Sequence, residues 1–216
     1  MDLSSLDLDK LSVDQKLELI SLLQMQADYL KYNKLETFTP YDFQNKFYQA
    51  SLHYKTRFLM AGNRIGKTFS EAFEFACHAT GRYPKWWPGF KFDKTNMFYA
   101  DGRRNPHDLI MWCVGITGDS TRKVLQKELF GTESAKEVEK IGTGAIPKDC
   151  IDFDAIERDG HMIRSCKIKH HDASGNFDGF TTLEFRSTQQ GEHVLMGSTV
   201  DYIWLDRFFF VLHTIG

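Results

Sequence analysis

The chain has 216 residues, with 27 basic side chains against 29 acidic ones and a formal net charge of -2. That length is enough for one large domain with its own core, and 42% hydrophobic with 26% charged residues is the composition of an ordinary globular protein. The charge balance excludes a global basic field for nucleic acid, no apolar run reaches the roughly 18 residues of a membrane span, and an N-terminus carrying Asp2, Asp7 and Asp9 lacks a secretory leader pattern.

The first predicted element is a helix. Ser12 and Gln15 have capping-box spacing, and Val13, Leu17, Ile20, Leu23 and Ala27 recur at helical intervals up to about Tyr32. This amphipathic stripe suits packing on its own domain or docking on a partner subunit. Pro40 then sets a turn before a second helical stretch, Tyr41 to Leu52. There Tyr41 offers a ring to stack on a base, and Gln44 an amide with both a donor and an acceptor.

Phe58-Leu59-Met60 reads as a short buried strand, Gly62-Asn63 as a turn, and Gly66-Lys67-Thr68 leads into a helical segment from Phe69 to Ala79. Strand, loop, Gly-Lys-Thr and helix is the order of a P-loop, which aims backbone N–H groups and a helix N-terminus at phosphate oxygens. Lys67 would reach the β- and γ-phosphates and the Thr68 hydroxyl would hold Mg²⁺. Ala61 stands where the strict pattern has its first glycine.

Gly81 is expected to end that helix, and Pro84 and Pro88 to prevent its continuation. Trp86 and Trp87 between them suit a packed lid more than a base-stacking platform. A short apolar strand, Met97 to Ala100, precedes a basic turn, Arg103-Arg104. Another strand runs from Ile110 to Ile116, and Asp119-Ser120-Thr121 caps a helix from about Arg122 to Phe130. Arg164 to His171 alternates as a strand, 172–179 is a turn, and Thr181 to Arg186 returns as a hairpin. The acidic turn lacks the terminal glutamate of a calcium loop, and adjacent His170 and His171 point to opposite faces of a strand, against a zinc site. Cys77, Cys113, Cys150 and Cys166 form no C-x-x-C pair and read as reduced, buried thiols. Finally, Val200-Asp201-Tyr202-Ile203-Trp204-Leu205-Asp206 is a hydrophobic strand ending in a carboxylate, the Walker B pattern.

With these residues in hand, the chain resembles the N-terminal ATPase part of the phage terminase large subunit, the motor that packages DNA into a capsid. The resemblance rests on Pro40-Tyr41-x-x-Gln44, the stretch from Met60 to Thr68, Thr80-Gly81-Arg82-Tyr83-Pro84, Lys169-His170-His171, Ser187-x-x-Gln190-Gly191 and the Walker B stretch, in that order. It implies a P-loop NTPase-like α/β fold, a mostly parallel sheet flanked by helices, with an N-terminal amphipathic helix and a β-hairpin insertion. It divides the chain into a helical segment over 1–37, a partial ATPase domain over 38–206 and an unmatched tail over 207–216. By resemblance Tyr41 and Gln44 recognise adenine, Gly62, Asn63, Gly66, Lys67 and Thr68 hold the phosphates, and Thr68 and Asp206 hold Mg²⁺. Arg64 stabilises the γ-phosphate charge, beside a trans-acting arginine left open among Arg103, Arg104, Arg122 and Arg158. The implied partners are ATP, double-stranded DNA, a small terminase subunit and a portal protein, in the cytoplasm of an infected or prophage-carrying host.

The departures are as specific. The family follows the Walker B aspartate with a glutamate that orients the attacking water; here Arg207 follows Asp206. The family's coupling motif and nuclease domain do not follow. An abrupt mismatch and a stop within ten residues are what a shifted reading frame produces, so the expectation is a truncated, ATP-binding product with little or no turnover. The alternative, from another class, is a non-hydrolysing ATP-dependent assembly module. A P-loop kinase is a third reading, without an acceptor-site signature.

Overall fold

The structure, a computed structural model, describes residues 11–60, 62, 65–92, 108–191, 199–206 and 210–213. The expected strand at Met97 to Ala100 and the basic turn Arg103-Arg104 lie outside them, as do Ala61, Asn63, Arg64 and Arg207. The fold is α/β. Four helices come first as labels: α1 (Val13–Tyr32), α2 (Lys34–Thr37), α3 (Asp42–Ala50) and α4 (Lys67–Thr80). The strands are β1 (Thr56–Arg57), β2 (Leu109–Gly115), β3 (Ile151–Asp159), β4 (Met162–His171), β5 (Phe177–Ser187), β6 (Tyr202–Leu205) and β7 (Phe210–His213).

The strands form one sheet in the order β1-β7-β6-β2-β5-β4-β3. Among the described residues only the central trio is parallel, β6 and β5 each lying alongside β2 in the same direction. The pairs β1/β7, β6/β7, β3/β4 and β4/β5 are antiparallel. This corrects the expectation of a mostly parallel sheet. The reason is connection length: β3, β4 and β5 follow one another through short turns, and four residues join β6 to β7, whereas a parallel pairing needs a crossover of about a dozen residues or more. The hairpin expected at 164–186 is β4 and β5, widened by β3 into a meander.

β7 is the sharpest difference from the pattern read along the chain. Residues 210–213 add to the sheet, pairing with β6 on one side and β1 on the other. The expected buried strand at Phe58-Leu59-Met60 is not one: β1 ends at Arg57, Phe58 is 44% exposed and Met60 77% exposed. The β1/β7 register aligns Thr56 with Leu212 and Arg57 with Val211. One step further reaches Phe210, the first residue of β7.

Side-chain parity sets the two faces. Leu109, Met111 and Cys113 of β2, with Tyr202 and Trp204 of β6, join the main core under α4. Trp112 and Val114, with Ile203 and Leu205, form a smaller cluster on the opposite face. α4 is enclosed: every residue from Ser70 to Thr80 is buried. Its Phe75 ring lies 5.5 Å from Tyr202 and 6.2 Å from Trp204. On its other side Phe38 stacks on Phe73 at 4.1 Å and meets Trp86 edge-on at 5.0 Å, which is the packed-lid reading of that tryptophan. All four cysteines are buried and free.

α1 has the expected capping box, with Gln15 N–H donating to Ser12 Oγ and Ser12 N–H to Gln15 Oε1. Yet none of its residues is buried, so its stripe does not pack on its own domain. Contact comes at its last turn, where the Tyr32 hydroxyl donates to the Glu139 carbonyl at 3.4 Å and the Lys148 ammonium lies 4.3 Å over the Tyr32 ring. The helix over 118–130 starts earlier than expected, because Thr117 and Ser120 cap it reciprocally. Among the described residues no helix is long and apolar enough to cross a membrane.

Gly81 shows how tightly α4 ends against the hairpin. Its φ is +66°, and a Cβ there would stand 2.0 Å from the His171 carbonyl oxygen. Gly81→Ala is therefore expected to cost about 2–4 kcal/mol, from left-handed strain plus overpacking. Gly175, at φ +82° with open space around its missing Cβ, should cost only the strain, about 1 kcal/mol. Thermal unfolding of the two variants followed by circular dichroism separates them.

Candidate functional site

The loop over 58–66 hangs between β1 and α4. Gly66 takes a left-handed conformation, φ 87°, as the residue before α4, and no side chain caps the helix. A helix start without a side-chain cap is a place where backbone N–H groups can meet an anion. The Lys67 ammonium donates to the Gly62 carbonyl at 2.8 Å, drawing the loop into a ring. Lys67 and Thr68 are half-buried, and Gly62 and Ile65 are exposed.

α3 flanks this loop. Tyr41 is 69% exposed and its ring lies near-parallel to Phe43. Together with Asp42, Ile65 and Gly66 they line an open groove of about 760 Å³. Gln44 sits behind them and is buried. Its Oε1 accepts from the Tyr41 N–H at 2.8 Å and its Nε2 donates to the Gly66 carbonyl at 3.5 Å. Both ends of this amide are engaged within the protein, so Gln44 ties the groove to the phosphate loop. One turn on, the Tyr48 hydroxyl donates to the Ser70 carbonyl at 2.9 Å and accepts from the Ser70 hydroxyl.

Beneath the loop lies a charged network that sequence reasoning missed. The Arg57 guanidinium makes a bidentate pair with Glu74, and its Nη1 also donates to the Phe47 carbonyl. The Arg57 and Glu74 side chains are 4% and 0% exposed. His78 Nε2 lies 3.4 Å from Glu74. Burial alone would raise the Glu74 pKa, but the Arg57 charge and the hydrogen bonds from His78 and Arg57 lower it to about 2. Burial lowers His78 against the pull of Glu74. Glu71 differs: burial, then the Glu74 charge, push it well above the carboxylate range, Arg57 opposes this and Asp206 adds to it. The available signal was Glu71, Glu74 and His78 at spacings of three and four within an otherwise apolar helical run.

The two aspartates of the Walker B stretch separate. Asp201 is buried at the start of β6, where its Oδ2 accepts from the Ile110 N–H at 2.8 Å, a structural tie to β2. Asp206 follows the last residue of β6, held by its N–H donating to the Val114 carbonyl at 2.9 Å. By parity with Tyr202 and Trp204 it belongs to the face that α4 covers. Thr68, Asp206 and the buried carboxyl of Glu71 are hard oxygen donors, the chemistry that suits Mg²⁺. Glu71 Oε2 has no hydrogen-bond partner, an orphaned buried acceptor on that side of α4. No cluster of three or more His, Cys, Asp or Glu groups fit to hold a metal occurs among the described residues.

Two further motifs converge elsewhere. Thr80 to Pro84 meets Lys169-His170-His171 across a cavity of about 380 Å³ that includes Arg82, Lys91, His170 and Asp178. His171 Nδ1 faces the Thr80 carbonyl at 3.2 Å, His170 Nδ1 faces Asp178 at 2.6 Å, and Arg82 pairs with Asp149. These contacts dock the β4–β5 hairpin on the end of α4. Of the open arginines, Arg122 pairs with Asp119 and Arg158 donates to the Ala135 carbonyl.

Residues 58–213 match the family described as terminase large subunit, T4likevirus-type, N-terminal. The match runs past Asp206 and takes in β7. The terminase large subunit of Salmonella phage P22 is 33% identical over 201 residues, which is 93% of this chain and 40% of that protein. No solved structure matches.

The Arg57–Glu74 pair makes a prediction about pH. A carboxylate lowered from 4.5 unfolded to about 2 folded contributes stability fully above pH 4.5, and loses it as pH falls toward 2. Glu74→Gln should cost about 3–5 kcal/mol at pH 7, because it leaves the buried guanidinium without its charge partner. The gap from the parent chain should narrow below pH 4.5. Urea unfolding at a series of pH values reads both.

Proposed function

The chain belongs to the terminase large-subunit family, and on that footing we propose that it is the ATP-binding part of a viral DNA-packaging motor. The observation carrying this reading is that Lys67 and Thr68 start α4 and Asp206 follows the last residue of β6, the strand whose Tyr202 and Trp204 pack against α4. A P-loop NTPase-like arrangement follows, with the loop over 58–66 wrapped around a triphosphate.

In this reading Lys67 leaves the Gly62 carbonyl and reaches the phosphates, while the backbone at Gly62, Asn63 and Gly66 lines them. Arg64 adds charge near the γ-phosphate. The exposed Tyr41 ring stacks on adenine, and Gln44 holds Tyr41 and Gly66 at a set separation, so its part in base recognition is indirect unless its amide turns outward. Thr68 and Asp206 hold Mg²⁺, which when bound neutralises phosphate charge. The partners proposed from the family are double-stranded DNA, a small terminase subunit and a portal protein, in the host cytoplasm. The chain spans 40% of the length of the relative it matches, and these partners are proposed for the whole assembly.

A second reading has a specific observation in its favour. Arg207 follows Asp206, and a guanidinium cannot accept a proton or orient water as a carboxylate does. A chain that binds ATP and turns it over slowly, serving assembly, follows from that substitution.

Titration with a fluorescent ATP analogue in Mg²⁺ tests the first reading. Lys67→Ala should weaken binding at least about 10-fold, the loss of one charge-assisted hydrogen bond. Equal affinity in both proteins rejects the phosphate-loop assignment. Phosphate release above the Lys67→Ala background separates a motor from a binding module.

A further inference from the structure

Glu71 is a buried carboxyl near the start of α4 that the proposed function leaves unused. It is 7% exposed, and its Oε2 has no hydrogen-bond partner. Arg57, whose charge acts on Glu71, has both terminal nitrogens on Glu74. A buried carboxyl with an unused acceptor is costly unless something pairs with it in another state.

Its position follows from how α4 crosses β6. The His78 ring lies 5.1 Å from Tyr202, and the Phe75 ring lies 5.5 Å from Tyr202 and 6.2 Å from Trp204. Moving toward the N-terminus of α4 therefore moves toward the C-terminal end of β6. From Phe75 back to Glu71 is four residues, about 6 Å along the helix. From Trp204 on to Asp206 is two residues, about 6.6 Å along the strand. The two steps bring Glu71 level with Asp206. Thr68 lies three residues before Glu71, on the same helix face and one turn nearer the loop. The Asp206 charge acting on Glu71 agrees with that placement.

We propose that Glu71 is a positioning residue of the metal site: it accepts hydrogen bonds from the water shell of the Mg²⁺ held by Thr68 and Asp206, supplying from the helix a carboxylate that the strand lacks at Arg207. This rests on the nucleotide reading above. It assigns Glu71 no direct bond to the ion and no step in hydrolysis.

The test uses the full chain and three proteins: parent, Glu71→Gln and Lys67→Ala. Affinity for a fluorescent ATP analogue is measured with EDTA and across a Mg²⁺ series, and unfolding is measured without ligand. Glutamine keeps the size of the side chain and removes the carboxylate. The expected result is a 5- to 10-fold rise in the Mg²⁺ concentration needed for half-maximal tightening in Glu71→Gln. Its metal-free affinity should equal the parent's, and its ligand-free midpoint of unfolding should stay level or rise. An unchanged Mg²⁺ dependence in Glu71→Gln, with Lys67→Ala still weakened, overturns the role of Glu71 and leaves the nucleotide reading standing. A parallel loss of affinity with and without Mg²⁺, together with a lower unfolding midpoint, marks Glu71 as merely structural and also overturns it. Wild-type affinity in Lys67→Ala overturns the nucleotide reading itself, and this inference with it.

Discussion

The geometry of the loop depends on one buried ion pair. Arg57 is the last residue of the strand that enters the loop, and Glu74 lies two turns into the helix that leaves it. Their bidentate contact ties the strand that enters the loop to the helix that leaves it. Arg57 also binds the Phe47 carbonyl, so the same guanidinium fixes α3, which carries the groove beside Tyr41. A buried pair of this kind often adds little net stability over a well-packed apolar replacement, because desolvation offsets its attraction. What it adds here is direction: two parallel hydrogen bonds fix where the strand ends relative to the helix. Gln44 to Gly66 and Tyr48 to Ser70 then stitch α3 to α4 on the outer side.

The sheet places the other half of the site by a different route. The parallel trio β6-β2-β5 brings Asp206 to the C-terminal end of a strand under α4. Among the described residues β1 joins that trio through β7, whose four residues pair with β6 and two of which, Val211 and Leu212, also pair with β1. The distance between the loop and Asp206 is thus set twice, by the helix above and by a short antiparallel strand at the side. Reading the tail as a bare mismatch with the family overlooks this, and the family match extending to 213 agrees with β7 being part of the unit.

Away from the loop, motifs that share no obvious chemistry turn out to share a wall. Gly81 ends α4 in the left-handed region and lies against the His170 ring and the His171 backbone. Thr80 to Pro84 and Lys169 to His171 are about ninety residues apart in sequence, and their common feature is the docking of the hairpin on the helix end. Trp86 and Trp87 complete this side by packing onto Phe38, Tyr48 and His78, each with its indole N–H on a carbonyl. Their aromatic density is core.

By itself the sequence determined what short-range physics controls. The capping box at Ser12 and Gln15, the glycine stops at Gly66 and Gly81, the helix between them, the alternation of β2 and the hairpin of β4 and β5 all follow from dihedral preference and periodicity over a few residues. The order of glycines, lysine and helix in the loop was legible for the same reason, because it is local. Tertiary structure decided the rest. Whether α1 has anything to bury against, whether β7 lies inside or outside the sheet, and whether Gln44 faces a ligand or a carbonyl are set by partners tens to more than a hundred residues away. Glu71 is the clearest case. Its spacing from Thr68 is visible in the chain, but its neighbour Asp206 is 135 positions further on. Only the crossing of α4 over β6 brings the two residues to one level, and sequence periodicity carries no term for that crossing.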